Sequence, residues 1–136
     1  MAKTKSHNRL FEKDNIIIDI PSDCYSEDRV ELWAKNVLHL AKDKDRWCLL
    51  SIPDYSITVT PSGADLLAKK YEIFRENGCM LIALHSENTP SKILLHALLS
   101  KSLKEPFIKS DRSVEYLCSL LQDAMGGESV LNDTES

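Results

Sequence analysis

Five residues of this sequence have the chemistry and the position for binding or regulation: Thr60, Ser62, Gly63, Asp54 and His85. Asp54 and His85 come just after predicted strands, and α/β sheets bind their ligands at the carboxyl ends of strands. The other three stand at the start of a predicted helix, whose free N–H groups can hold an anion or a phosphate. The Ser62 hydroxyl is therefore a candidate for phosphorylation, because the helix dipole would tolerate the added negative charge.

The sequence favours a protein without enzymatic activity. Ser62 lies in Thr-Pro-Ser-Gly, which lacks the G-x-S-x-G pattern of a serine nucleophile. No glycine-rich loop follows a strand, so the sequence indicates neither a dinucleotide site nor a P-loop phosphate site. The four histidines and four cysteines lack metal-ligand spacing. We therefore expect no catalytic residue, no metal and no cofactor.

Short apolar runs alternate with helix-patterned stretches along most of the chain. The runs are Ile16–Ile20, residues 47–52 and residues 79–84, with a shorter one at residues 107–109. A strand that is apolar on both faces must be covered on both faces, which is typical of the inner strands of a parallel sheet. We therefore predict an α/β fold. It is a single small domain with a four- to five-stranded, mostly parallel sheet and about four helices.

Helix starts separate these strands in the sequence. Ser26, Thr60, Thr89 and residues 110–113 supply side chains that can cap a helix. Each of the two threonines is followed by a proline, which suits the first helical position because its missing N–H is not needed there. Gly78 predicts the end of the second helix.

Length and charge restrict the classes of function. The 136 residues suffice for one domain, and the net charge of −4 does not favour nucleic acid or an anionic membrane as a partner. We expect a mobile arm at residues 1–8, the folded domain at residues 9–125 and a disordered acidic tail at residues 126–136. The apolar runs are too short to insert across a bilayer. Scattered cysteines and the lack of a signal-peptide pattern predict a cytoplasmic protein with reduced thiols.

The order of elements resembles the STAS domain (sulfate transporter and anti-sigma-factor antagonist) over about residues 8–125. The most specific part is the Thr-Pro-Ser-Gly of residues 60–63, followed by a helix and an immediate strand. Anti-sigma-factor antagonists have Asp-Ser-Ser/Thr-Gly at this place. Ser62 matches the serine or threonine that a kinase phosphorylates there, and Gly63 matches the next glycine. Thr60 and Pro61 depart from the acid and the first serine of that pattern.

Trp47 at the start of the middle strand makes the chain more similar still to a group of uncharacterised bacterial STAS-like proteins. The resemblance implies a regulatory module that binds another protein, such as a kinase or an anti-sigma-like regulator, through residues 53–62. It leaves a homodimer open. A small-ligand or lipid-binding domain of the same fold is the alternative, with an apolar cavity near Pro53 and His85.

Two further interpretations apply to the candidate residues. Asp54 follows an inner strand as the phosphoacceptor of a response-regulator receiver does. However, receivers have another strand and helix between the first helix and the acceptor strand, where this chain has a single helix. They also carry an acidic pair at the end of the first strand to hold magnesium, whereas Asp19 lies within its strand and Pro21 follows. Residues 60–62 can also be a plain helix start, since residues 89–91 repeat Thr-Pro-Ser.

Overall fold

The structure, a computed structural model, describes residues 9–54, 56–86 and 107–126. The strands are β1 (Arg9–Lys13), β2 (Ile16–Ile20), β3 (Cys24–Tyr25), β4 (Trp47–Ser51), β5 (Thr58–Val59), β6 (Cys79–His85) and β7 (Ile108–Asp111). The helices are α1 (Glu27–Ala41), α2 (Pro61–Glu76) and α3 (Val114–Ala124). These elements confirm the prediction of an α/β fold in a single small domain. The helix predicted after Thr89, the arm at residues 1–8 and residues 127–136 of the predicted tail lie outside the described residues.

Five strands form a mixed main sheet in the order β1-β2-β4-β6-β7. β1 pairs with β2 in antiparallel orientation, and the β2–β4, β4–β6 and β6–β7 pairs are parallel. The hairpin between β1 and β2 turns at Asp14, whose φ of 57° lies in the left-handed region that aspartate tolerates. α1 connects β2 to β4 and α2 connects β4 to β6, so these parallel pairs are joined by helical crossovers.

Each face of the sheet has its own core. Trp47 and Leu49 of β4 pack on the face covered by α1 and α2. Cys48 and Leu50 alternate with them and pack on the face covered by α3. Successive side chains of a strand point to opposite faces, so a strand buried on both sides needs a continuous apolar sequence. This explains the apolar run of β4, in which all five residues are buried.

The core beneath α1 and α2 is built around aromatic rings. The Trp33 ring centre lies 5.3 Å from that of Phe74 and 6.0 Å from that of Tyr71. Tyr25 meets Trp33 edge-on at 6.3 Å, and Trp47 lies 5.6 Å from Phe74. Aromatic pairs at these separations stabilise a fold beyond the area that they bury. One cluster of rings therefore holds α1, α2, β3 and β4 together.

The ends of the helices follow the predicted signals. The Thr60 side chain accepts a hydrogen bond from the Gly63 N–H (2.9 Å), and the Ser113 side chain accepts one from the Tyr116 N–H (3.1 Å). Gly78, with a φ of 101°, follows the end of α2 in a conformation that a residue with a Cβ rarely adopts.

Two local details differ from the predictions. Residues 53–59 follow a predicted strand and carry no predicted element of their own, yet they contain β5, which pairs in parallel with β3 to form a second, two-stranded sheet. Four consecutive β-branched residues at 57–60 favour that strand. Ser26 precedes α1 as predicted, but its side chain makes no capping hydrogen bond.

Replacing Phe74 by alanine should lower the free energy of unfolding by about 3 to 5 kcal/mol, the usual effect of removing a buried phenyl ring. Phe74 is 0% exposed and contacts two tryptophans. The matched control is Met80→Ala, since Met80 is 42% exposed and its truncation should change that free energy by less than about 1 kcal/mol. Urea unfolding followed by circular dichroism measures both. Equal losses in the two variants would contradict the packing described.

Candidate functional site

Two loops run side by side beyond the carboxyl edge of the main sheet. They are the β2–α1 loop (residues 21–26) and the β4–α2 loop (residues 52–60), which carry β3 and β5. The Thr58 N–H donates to the Asp23 carbonyl (2.9 Å), and the Thr60 N–H donates to the Tyr25 carbonyl (3.3 Å). The start of α2 is therefore tied by main-chain hydrogen bonds to the loop that leads into α1.

Asp54 organises the first turn of the β4–α2 loop. Its N–H donates to the Pro21 carbonyl (2.9 Å). Its Oδ1 accepts from both the N–H and the hydroxyl of Ser56, each at 2.7 Å. The Ser56 hydroxyl in turn accepts the Asp23 N–H (2.9 Å), which extends the link to the β2–α1 loop. These bonds give Asp54 a local structural role, and its role as a phosphoacceptor stays a prediction.

Thr60, Ser62 and Gly63 lie together at the start of α2. Thr60 caps the helix, and Ser62 is exposed in its first turn. Gly63 is buried, and a Cβ at this position would overlap the Tyr25 carbonyl oxygen and lie 2.9 Å from the Thr60 Oγ1. Only glycine allows the helix to approach the β2–α1 loop this closely. The first turn of α2 has no acidic residue, unlike the first turns of α1 and α3.

Replacing Gly63 by alanine should destabilise the protein by about 2 to 3 kcal/mol, within the usual range for overpacking. Helix propensity alone predicts the opposite, a gain of about 1 kcal/mol. The sign of the change in the free energy of unfolding, measured by urea unfolding, therefore separates overpacking from helix propensity. Ser62→Ala is the control, because Ser62 is exposed and its change should stay within about 0.5 kcal/mol. A stabilised Gly63→Ala variant would contradict the close approach to Tyr25.

His85 lies apart from this group. It is the last residue of β6, and its Nε2 lies 3.1 Å from the Arg112 carbonyl oxygen, just before α3. Leu81 and Ala83 pack against α3, so alternation along the strand turns His85 toward the same face. The structure therefore brings four of the five candidates to the two edge loops and the α2 start, and places His85 on the opposite face of the sheet.

A buried carboxyl group lies beneath the two loops. Asp19, the penultimate residue of β2, is 1% exposed and faces α1 and α2. The Trp33 indole Nε1–H donates to its Oδ2 (2.8 Å). Its Oδ1 is buried and has no hydrogen-bond partner in the part of the chain that the structure describes. A buried polar atom without a partner is uncommon, because leaving water without a replacement bond is unfavourable.

Arg29 of α1 is near enough to Asp19 for its positive charge to lower the pKa of that carboxyl group. Its Nη2 donates to the Ser22 carbonyl (3.1 Å), and its guanidinium carbon lies 5.1 Å from the Tyr25 ring centre. These contacts place a positive charge where the β2–α1 loop meets α1. Cation–π contacts of this length are attractive, so Arg29 also holds Tyr25 in place.

Burial governs the titration of the cluster formed by Asp19, Tyr25 and Tyr71. Loss of hydration raises the pKa of Asp19 from 3.8 to about 7, although the Trp33 hydrogen bond and the Arg29 charge both lower it. Burial, and then the negative charge of Asp19, raise the pKa of Tyr25 and of Tyr71 well above the usual range for tyrosine. The Cys48 thiol lies outside this cluster, where burial raises its pKa to about 11. The neutral form of each group is therefore favoured.

The free energy of unfolding should fall as the pH rises from about 4 to about 7. The folded protein holds the Asp19 proton more tightly than the unfolded chain, so the stabilisation is complete below pH 4 and is lost through the folded pKa. The drop is on the order of 4 kcal/mol, at about 1.4 kcal/mol for each pKa unit. Urea unfolding between pH 4 and pH 8 measures it.

Two variants attribute this pH dependence to one residue. Asp19→Asn should flatten the profile, because asparagine has no proton to lose. Asp28→Asn removes an exposed acid of α1 and should leave the slope unchanged. A slope that persists in Asp19→Asn would contradict the assignment.

Asp19, Arg29 and Trp33 are not part of any functional motif in the sequence. A signal was present, since Asp19 is the one charged residue of the apolar run Ile16–Ile20. The alternation of the strand places it on the same face as Ile17. What the sequence lacked was the position of α1, which decides whether that face meets water or an indole N–H.

A surface groove of about 520 Å³ lies between α1 and α2, lined by Asp28, Glu31, Leu32, Ala34, Lys35, Leu38 and Lys70. Neither Pro53 nor His85 lines this groove, and the apolar cavity predicted near those two residues stays a prediction. In the described ranges, no group of three His, Cys, Asp or Glu residues could hold a metal ion. Among the described helices, none combines the length and the apolar composition needed to cross a membrane.

Comparison with known proteins adds no family assignment: no model of a protein family matches this chain, and no curated protein matches it.

Proposed function

We propose that this protein is a regulatory module of STAS-like fold that binds another protein through the start of α2 and the β4–α2 loop. The observation that carries the proposal is the exposure of Ser62 on a helix start that its surroundings hold in one position. The resemblance of residues 60–63 to the phosphorylated loop of anti-sigma-factor antagonists supports the same surface. We also propose that the main sheet is a mostly parallel, STAS-like sheet and that a fourth helix lies between β6 and β7.

Rigidity of the surface supports a docking role. Thr60 caps the helix, Gly63 rests on the Tyr25 carbonyl, and β5 is paired with β3. A surface that is ordered before binding loses little conformational entropy when a partner docks. A phosphate on Ser62 would then change the charge and shape of the docking surface without having to unfold it.

The local charge supports an anionic group at this place. Because the first turn of α2 has no acidic residue, no negatively charged side chain in that turn offsets the partial positive charge of the helix start. A partner's carboxylate, or a phosphate on Ser62 itself, would be stabilised there. We propose in addition that the protein acts in the bacterial cytoplasm, without catalytic activity or a cofactor.

Replacing Ser62 by aspartate should reduce capture of the partner about tenfold, which corresponds to the roughly 1.4 kcal/mol typical of one lost interface contact. The measurement is quantitative affinity capture from a lysate of the source cells with purified wild type and variant as bait. Circular dichroism checks that the variant is folded, as expected for a change at an exposed residue.

The matched control is Ser119→Asp, which adds the same charge at an exposed serine in the middle of α3. A partner of the proposed surface is retained by wild type and by Ser119→Asp and is depleted by Ser62→Asp. Identical sets of captured proteins for all three baits would refute the docking surface.

A further inference from the structure

Asp19 is a buried acid that the proposed docking function does not use. Its Oδ2 accepts the Trp33 indole N–H (2.8 Å), while its Oδ1 has no hydrogen-bond partner among the described residues. An ionised carboxylate in this position would lack both hydration and a full set of hydrogen bonds, which strongly disfavours the charged form. The site therefore accommodates a neutral carboxyl group and opposes a carboxylate.

Three groups on described elements interact electrostatically with Asp19: Tyr25 of β3, Arg29 of α1 and Tyr71 of α2. Arg29 is the one cation among them. The structure shows it holding the β2–α1 loop, through the Ser22 carbonyl and the Tyr25 ring. The guanidinium can therefore bind either the β2–α1 loop or an ionised Asp19. The protonation state of Asp19 decides which of the two it binds.

We propose that Asp19 and Arg29 form a pH-responsive device that sets how firmly the start of α2 is held. When Asp19 loses its proton to solvent, the new buried charge draws the Arg29 guanidinium toward the carboxylate and away from the Ser22 carbonyl. The β2–α1 loop then loses this hydrogen bond and the cation over Tyr25. Its hold on the β4–α2 loop weakens as a result.

Tyr25 transmits the change to α2. It pairs with Val59 in the small sheet, and its carbonyl accepts the Thr60 N–H (3.3 Å). The same carbonyl oxygen is the atom against which Gly63 packs. A shift of Tyr25 therefore reaches the helix turn that exposes Ser62. The consequence for partner binding rests on the proposed function, whereas the device itself does not.

The experiment is an NMR titration of the isolated protein from pH 5 to pH 9. The ¹³Cγ shift of Asp19 reports its ionisation, and burial places its pKa at about 7. The amide shifts of Thr58, Thr60 and Gly63 should follow with the same midpoint. Hydrogen exchange at Thr58 and Thr60, corrected for the intrinsic rate, should become about tenfold faster between pH 6 and pH 8, the effect of one pKa unit of coupling.

Three variants test the path. Asp19→Asn should abolish the neutral-pH titration of the three amides. Arg29→Met should leave Asp19 titrating but uncouple the amides from it, because the relay is missing. Asp28→Asn, which removes an exposed acid next to Arg29 in the sequence, should behave as wild type. The wild-type titration is decisive by itself if Asp19→Asn does not fold.

Two results would overturn the device: an Asp19 midpoint below pH 5, or amide titrations that persist in Asp19→Asn. Because this assay uses no partner, its outcome does not depend on the docking proposal. Affinity capture at pH 6 and pH 8 then tests the link between the two. Capture by wild type should differ between the two pH values and capture by Asp19→Asn should not, whereas equal pH dependence in both would refute regulation by Asp19.

Discussion

The hydrogen bond from the Trp33 indole to the Asp19 carboxyl is the interaction around which this domain is arranged. It ties α1 to the end of β2 inside an otherwise apolar core. Trp33 can donate there only if its ring is held among Tyr25, Tyr71 and Phe74, so the polar contact and the ring packing require each other. An apolar residue in place of Asp19 would leave the buried indole N–H without an acceptor, which is unfavourable in a core.

A second constraint follows from the first. Once Trp33 and Tyr25 are placed, the Tyr25 carbonyl has a fixed position at the carboxyl edge of the sheet. The start of α2 must then pass against it, and only a glycine fits at residue 63. The small β3–β5 sheet is the main-chain counterpart of this contact. The helix start that exposes Ser62 is thus positioned by the core and not by its own loop alone.

The candidate residues differ in how much of their role could be predicted. Thr60, Ser62 and Gly63 are recognisable because capping, exposure at a helix start and glycine are local properties that a short stretch of sequence specifies. The interaction of Asp54 is also local, since its carboxylate accepts hydrogen bonds from Ser56, two residues away. His85 could be placed at the end of a strand, but which helix covers the face to which it points is decided by the tertiary structure.

The sequence by itself determined the strands β2, β4, β6 and β7, the described helices and their buried stripes, because hydrophobic periodicity, caps and glycine stops act within a few residues. It also determined that β4 and β6 are inner strands, since only burial on both faces explains their apolar composition. The tertiary structure alone decided the pairing of β3 with β5, the contact between Gly63 and Tyr25, and the environment of Asp19. Each of these joins residues far apart in the chain, and the energy of a buried charge or a steric overlap depends on neighbours that local sequence does not specify.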